Sequence, residues 1–195
     1  MSSKIWEVHS EPIMYIKEFD QLSFEYDALK SFLVDSCKLD INRIEFLSPN
    51  GGIGETIYVC NKGAVSGKLE AFVALYFRYL HDSEEWTLEL SGENLSYILD
   101  FHIVPSLRAF NFDFQSYEYT INFISKYINN LRESYQNENR KVKVFEIKDG
   151  INCISLLNEI SIPTNFSVLK NDFGSKLYLF ETVEKFVLFD IWTSD

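Results

Sequence analysis

"FSVLKNDFGSKLYLFETVEKFVLFDIW", residues 166–192, contains three apolar runs separated by short polar turns. "FSVLK" (166–170) and "KLYLFE" (176–181) flank "NDFG", which has the composition of a hairpin turn. "KFVLFDIW" (185–192) follows and predicts a further strand. Short connections of this kind join antiparallel strands. This stretch therefore predicts an antiparallel sheet in the C-terminal part of the chain.

More strands are predicted earlier in the chain. "RIEFL" (43–47) and "TIYVC" (56–60) are joined through the turn cluster "SPNGG", and "KVKVFEI" (141–147) alternates as a strand does. "LEAFVALYFRYL" (69–80) fits two patterns, because its apolar residues recur at helical spacing while its Phe, Val and Tyr content is typical of strands. We favour strands for 69–80, forming a hairpin through "HDSEE" with "WTLEL" (86–90).

Helices are predicted where apolar residues recur every three or four positions. The clearest is 117–135, and the others are 24–38, 91–104 and a short helix or turn at 155–160. Strands and helices together predict one α+β domain over residues 1–195, a mostly antiparallel sheet with several helices packed against it. If the chain is divided by a domain boundary, that boundary lies near 136–141.

Charge and composition exclude several classes of function. The 195 residues carry a net charge of −11, which argues against binding to nucleic acid or to anionic membranes. The chain also contains 17 Phe, 11 Tyr and 3 Trp, enough ring area to predict a well-packed core. An acidic surface of this kind suits solubility or a basic protein partner.

Cysteine usage and the N-terminus bear on localisation. Cys37, Cys60 and Cys153 are far apart, form no CxxC pair and are odd in number, so we expect reduced thiols. The first 20 residues lack the apolar core of a signal peptide, and no apolar run approaches the length needed to span a bilayer. The sequence therefore predicts a soluble, cytoplasmic protein.

The glycine-rich stretch "GGIGETIYVCNKGAVSGK" (51–68) looks at first like a phosphate-binding loop. From Gly63 only three residues precede Gly67-Lys68, where a phosphate loop has four, and Leu69 replaces the hydroxyl residue that holds Mg²⁺. We therefore interpret the stretch as two glycine turns with one strand between them.

An enzyme is the alternative reading, and it depends on "FEIKDG" (145–150). Glu146 and Lys148 form an acid-x-Lys strand end that resembles the one in metal-dependent nucleases of the restriction-enzyme type, in which acids hold Mg²⁺ and the lysine polarises water. The second acid of that family has no counterpart on the preceding strand, and His9, His81 and His102 lack metal-ligand spacing. We therefore predict no catalytic residue, no metal and no cofactor.

Acidic and aromatic residues are concentrated between Tyr79 and Ser125. This stretch has eight acidic residues and one basic residue, Arg108, so it carries −7 of the net charge in about a quarter of the chain. It could be a solvated face or a surface for a basic partner, with acids providing steering and rings providing contact energy. The predicted partner-binding residues are Asp82, Glu84, Glu85, Trp86, Glu89 and Glu93.

In its small size, its acidity and patches such as "HDSEEWTLELSGEN" (81–94), the chain resembles the immunity proteins that neutralise bacterial polymorphic and contact-dependent growth inhibition toxins. The resemblance is one of general character. It implies a toxin inhibitor that is not an enzyme and whose carboxylates occlude the basic substrate groove of a nuclease-type toxin, with Trp86 packed beside them. A non-toxin adaptor subunit with the same acidic surface is a further alternative.

Overall fold

The fold is organised around a sheet made from the apolar runs of the sequence. In this computed structural model the described residues are 31, 33, 39–48, 52–83, 97–103, 117–137, 141–146, 152–172 and 175–193. Within these ranges the strands are β1 (Asn42–Leu47), β2 (Ile53–Asn61), β3 (Lys141–Glu146), β4 (Asn165–Asp172), β5 (Ser175–Glu181) and β6 (Lys185–Thr193). The helices are α1 (Lys68–Ser83), α2 (Tyr117–Gln136) and α3 (Cys153–Ile160), with a 3₁₀ turn at Lys62–Ala64 and a π-helical turn at Leu99–Ile103.

The six strands of the described ranges form one sheet in the order β3-β1-β2-β6-β5-β4, with every neighbouring pair antiparallel. The sheet contains the predicted strands at 43–47 and 56–60, residues 141–146 of the predicted strand at 141–147, and the C-terminal hairpin with its following strand. The α+β class with a mostly antiparallel sheet is therefore confirmed. Strands that precede residues 136–141 in the sequence pair with strands that follow them, as β2 does with β6.

The central strands are buried on both faces. Ile57 pairs with Phe189 and Tyr58 with Leu188, and alternation sends the first pair to one face and the second pair to the other. Helices cover both faces, so β2 and β6 are buried almost throughout rather than alternating between buried and exposed residues.

The prediction of a β-hairpin at 69–80 is wrong, because these residues belong to α1. Every residue from Ala71 to Phe77 is buried, since α1 packs against the sheet on one side and against Leu33, Ile98 and Leu99 on others. A helix enclosed in this way needs large apolar residues around most of its circumference. The aromatic and β-branched content that favoured strands therefore reflects burial of a helix.

The opposite face of the sheet is covered by α2 and α3. Ile124, Ile128 and Leu131 of α2 are buried at helical spacing, as the predicted helix at 117–135 requires. At the start of α3 the side chain of Asn152 accepts a hydrogen bond from the Ser155 amide at 2.8 Å, which caps the helix. This confirms a helix at the segment predicted as a short helix or turn.

Other predictions fall partly or wholly outside the described residues. Residues 97–103 are helical within the predicted 91–104 helix, and Ser31 and Leu33 are helical within the predicted 24–38 helix. The predicted strand at 86–90 lies outside the described residues.

Candidate functional site

Of the six predicted partner-binding residues, Asp82 is described, in the last turn of α1. Glu84, Glu85, Trp86, Glu89 and Glu93 lie outside the described residues.

Asp82 is engaged within the protein. Its side chain is 7% exposed, and Oδ2 lies 3.2 Å from Nη1 of Arg43 and 3.2 Å from Nε of Arg78. On the other side, Nδ1 of His81 lies 3.4 Å from Oδ1. Both oxygens therefore face cationic or hydrogen-bonding groups of the same chain, and this carboxylate contributes little to an outward acidic face.

Arg43 connects α1 to the sheet. Its Nη2 donates to Oε2 of Glu45 at 3.4 Å, and its guanidinium carbon lies 5.8 Å from the ring centroid of Tyr58. Burial raises the pKa of the Tyr58 hydroxyl well above its ordinary value, although the charge of Arg43 acts in the opposite direction. We call Arg43, Glu45, Arg78, His81 and Asp82 the Asp82 network. It is a cluster of paired charges that anchors the end of α1 to β1.

Polar residues on β2 and β6 extend this region along the same face of the sheet. Asp190 is buried, and Ser175 donates to its Oδ1 at 3.5 Å. Trp192 Nε1 donates to Oγ1 of the buried Thr56 at 3.4 Å. The indole of Trp192 also lies directly over Gly54, where a Cβ atom would clash with it. The ring therefore closes this end of the sheet and holds Thr56 in a hydrogen bond.

A different surface lies at residues 97–101. Ile98 and Leu99 are buried in the core with α1, whereas Tyr97 is 48% exposed and Phe101 is 55% exposed. The two exposed rings contact each other, with centroids 4.8 Å apart and planes inclined by 32°. Asp100, between them in sequence, is also exposed. We call Tyr97, Asp100 and Phe101 the aromatic surface.

The glycine-rich stretch forms turns around β2, as interpreted from its spacing. Gly52 has φ of 83°, a left-handed conformation that favours glycine. Ahead of α1, the amide of Ser66 donates to Oε2 of Glu70 at 2.8 Å, so a carboxylate of the helix itself occupies this N-terminus. A phosphate placed there would face the negative charge of Glu70.

The residues of the nuclease alternative are only partly described. Glu146 is the last residue of β3 and is in register with Arg43 of β1, while Lys148 lies outside the described residues. Within the described ranges, no three His, Cys, Asp or Glu side chains are grouped so that they could hold a metal ion. Cys60 and Cys153 are buried thiols, and burial raises the pKa of Cys60 to about 12 and that of Cys153 to about 11.

Two features of the site were missed in the sequence. The Arg78–Asp82 pair has the i,i+4 spacing of a helical ion pair. This spacing predicts an ion pair only in a helix, and the sequence of 69–80 favoured a strand. Phe101 has the same spacing from Tyr97, but no pattern distinguishes an exposed ring pair from a buried one.

No family model, curated protein or solved structure matches this chain. Among the helices that the structure describes, none is both long enough and apolar enough to cross a bilayer.

Proposed function

We propose that this chain is an acidic binding protein that inhibits a basic protein, in the manner of the toxin-neutralising immunity proteins that it resembles. The observation that carries the proposal is the concentration of charge between Tyr79 and Ser125, where eight acids accompany one base. Because Asp82 is already paired with Arg43 and Arg78, the acids proposed to face the partner are Glu84, Glu85, Glu89 and Glu93.

The mechanism is occlusion of a basic groove. Carboxylates that complement the groove increase the rate of encounter, and they exclude the negatively charged substrate once they are bound. A neighbouring ring provides short-range contact energy, which is the role proposed for Trp86. The Asp82 network contributes indirectly, by holding the end of α1 immediately before Glu84 in the sequence.

The proposal is tested by co-expressing the chain with the product of the gene immediately upstream, where the gene for a cognate toxin is expected. We expect a complex and loss of the toxic activity of that product. The variant E84K/E85K should associate more slowly and with a weaker salt dependence, because steering falls with complementary charge.

The matched control is E133K/E184K, which changes the net charge by the same amount at two exposed acids outside residues 79–125. If both variants slow association equally, net charge alone accounts for the slower association and residues 79–125 are not the interface. If the upstream product is neither bound nor inhibited by the wild-type chain, the proposed function is wrong.

A further inference from the structure

The aromatic surface is built so that its rings stay outside the core. Ile98 and Leu99 hold this helical segment against α1, and Tyr97 and Phe101 lie on its outer side, in contact with each other. Each of these two residues leaves about half of its surface in contact with solvent. Two large rings that pack together at the surface form an apolar patch of the kind that marks an interaction site.

The charge of Asp100 and of the sequence stretch that contains the patch indicates the chemistry of its occupant. Asp100 is exposed in the same helical turn as the rings. The sequence stretch from Tyr79 to Ser125, to which these residues belong, carries a charge of −7 within a chain of net charge −11. A second copy of this chain would bring the same negative charge to the contact, and an anionic lipid would be repelled. A positively charged group is therefore the complementary occupant.

Arginine fits this surface better than lysine does. A guanidinium is planar and weakly hydrated, so it can stack on an aromatic face while its N–H groups pair with a carboxylate. An ammonium is compact and strongly hydrated, and it gains less from an exposed ring pair. Tyr97 and Phe101 provide the faces, and Asp100 provides the carboxylate within the same turn of chain.

We propose that Tyr97, Asp100 and Phe101 form a docking surface for an arginine side chain of a basic protein. The proposal rests on the proposed function for the identity of that protein, the basic partner. It goes beyond the proposed function in locating a contact outside 82–93 and in naming the side chain that is recognised.

The test uses nona-arginine and nona-lysine peptides as probes, titrated into the full chain by calorimetry. We expect tighter binding of nona-arginine, and Y97A/F101A should weaken it about tenfold, the scale of an aromatic hot spot. The control is Tyr119→Ala, which removes a ring that is 63% exposed on α2, at the opposite face of the sheet. Affinity for nona-arginine should change less than about twofold in this control, because a non-contacting exposed ring contributes little.

A second variant distinguishes the loss of ring stacking from a folding defect. Y97L/F101L keeps apolar side chains at both positions but removes the ring faces, and it should lose the preference for arginine over lysine. If the double variants bind nona-arginine as tightly as the wild type, or if Tyr119→Ala weakens binding equally, the proposal is overturned. Dimers that sediment in the wild type but not in Y97A/F101A would also overturn it, in favour of a second copy as occupant.

The complex with the upstream gene product separates the two proposals. If the surface docks an arginine of that protein, Y97A/F101A should increase the dissociation rate about tenfold with little change in association rate, because stacking acts only at short range. An unchanged dissociation rate would refute arginine docking at the aromatic surface and leave the proposed function intact. If no complex forms but nona-arginine still binds in a way that depends on the two rings, the proposed function is refuted and arginine docking at the aromatic surface is supported.

Discussion

Oδ2 of Asp82 lies 3.2 Å from Nη1 of Arg43, and this ion pair joins the last turn of α1 to strand β1. Asp82 is 7% exposed and Arg43 is 18% exposed, so both charges are largely removed from water. Because the same oxygen also faces Nε of Arg78, loss of the carboxylate would leave two guanidinium groups without this acceptor. Asp82 is thus a positioning residue at the beginning of the acidic segment.

Replacing Asp82 by Asn should lower the free energy of unfolding by about 3 kcal/mol, the scale for removing one partner of a largely buried ion pair. Urea denaturation followed by circular dichroism measures the change. The control Glu184→Gln removes an exposed acid and should stay within about 0.5 kcal/mol of the wild type. Equal stabilities for the two variants would show that the Asp82 network does not anchor α1.

Gly54→Ala should destabilise the protein by about 1–3 kcal/mol, because the new methyl group would displace the indole of Trp192. In a Trp192→Ala background the same change should cost almost nothing, so a double-mutant cycle will yield a coupling free energy. Gly63→Ala is the control, since a Cβ atom there meets nothing within 4 Å. Additive effects of the Gly54 and Trp192 changes would contradict the contact.

Alkaline pH should destabilise the protein, and Cys60 should contribute to the effect. Burial raises the pKa of its thiol from 9.0 to about 12, so the unfolded chain loses this proton first as the pH rises. The stability linked to Cys60 is therefore complete below pH 9.0 and falls by about 1.4 kcal/mol per pH unit between the unfolded and folded pKa values.

Urea denaturation from pH 8 to pH 11 measures this slope, and Cys60→Ala should be less steep than the wild type by about one proton. Subtracting the two slopes cancels the contributions of the other thiols and of the tyrosines. Parallel slopes would mean that the Cys60 thiol is not shielded from water in the folded protein.

Tyr127→Phe should cost about 2 kcal/mol of stability, the scale of a hydrogen bond to a charged group. The Tyr127 hydroxyl donates to Oε1 of Glu55 at 2.6 Å, and Glu55 is fully buried, so this bond joins α2 to the N-terminal part of β2. Tyr119→Phe removes an exposed hydroxyl from the same helix and serves as the control. A cost equal to that of the control would show that the bond adds nothing to stability.

The sequence predicted the sheet well because its strands have distinctive local patterns. "KLYLFE" and "KFVLFDIW" are rich in Val, Leu and Phe and are bounded by turns, so their place in an antiparallel sheet followed from short-range rules. The helix at 117–135 was equally clear, because its apolar residues face one side and water faces the other. Local pattern is informative where turns bound an apolar strand or where a helix has one buried side.

The tertiary structure decided the parts where burial comes from several directions. Residues 69–80 are helical because the sheet, Leu33 and the 97–103 segment enclose them, and nothing within the segment itself specifies that enclosure. Asp82 was predicted to face outward, but its Arg43 partner lies 39 positions earlier in the sequence, on a strand that only folding brings to α1. Local patterns therefore determined the fold class, and composition determined the sign of the net charge. Contacts between distant segments decided which charges are paired within the protein and which rings remain exposed.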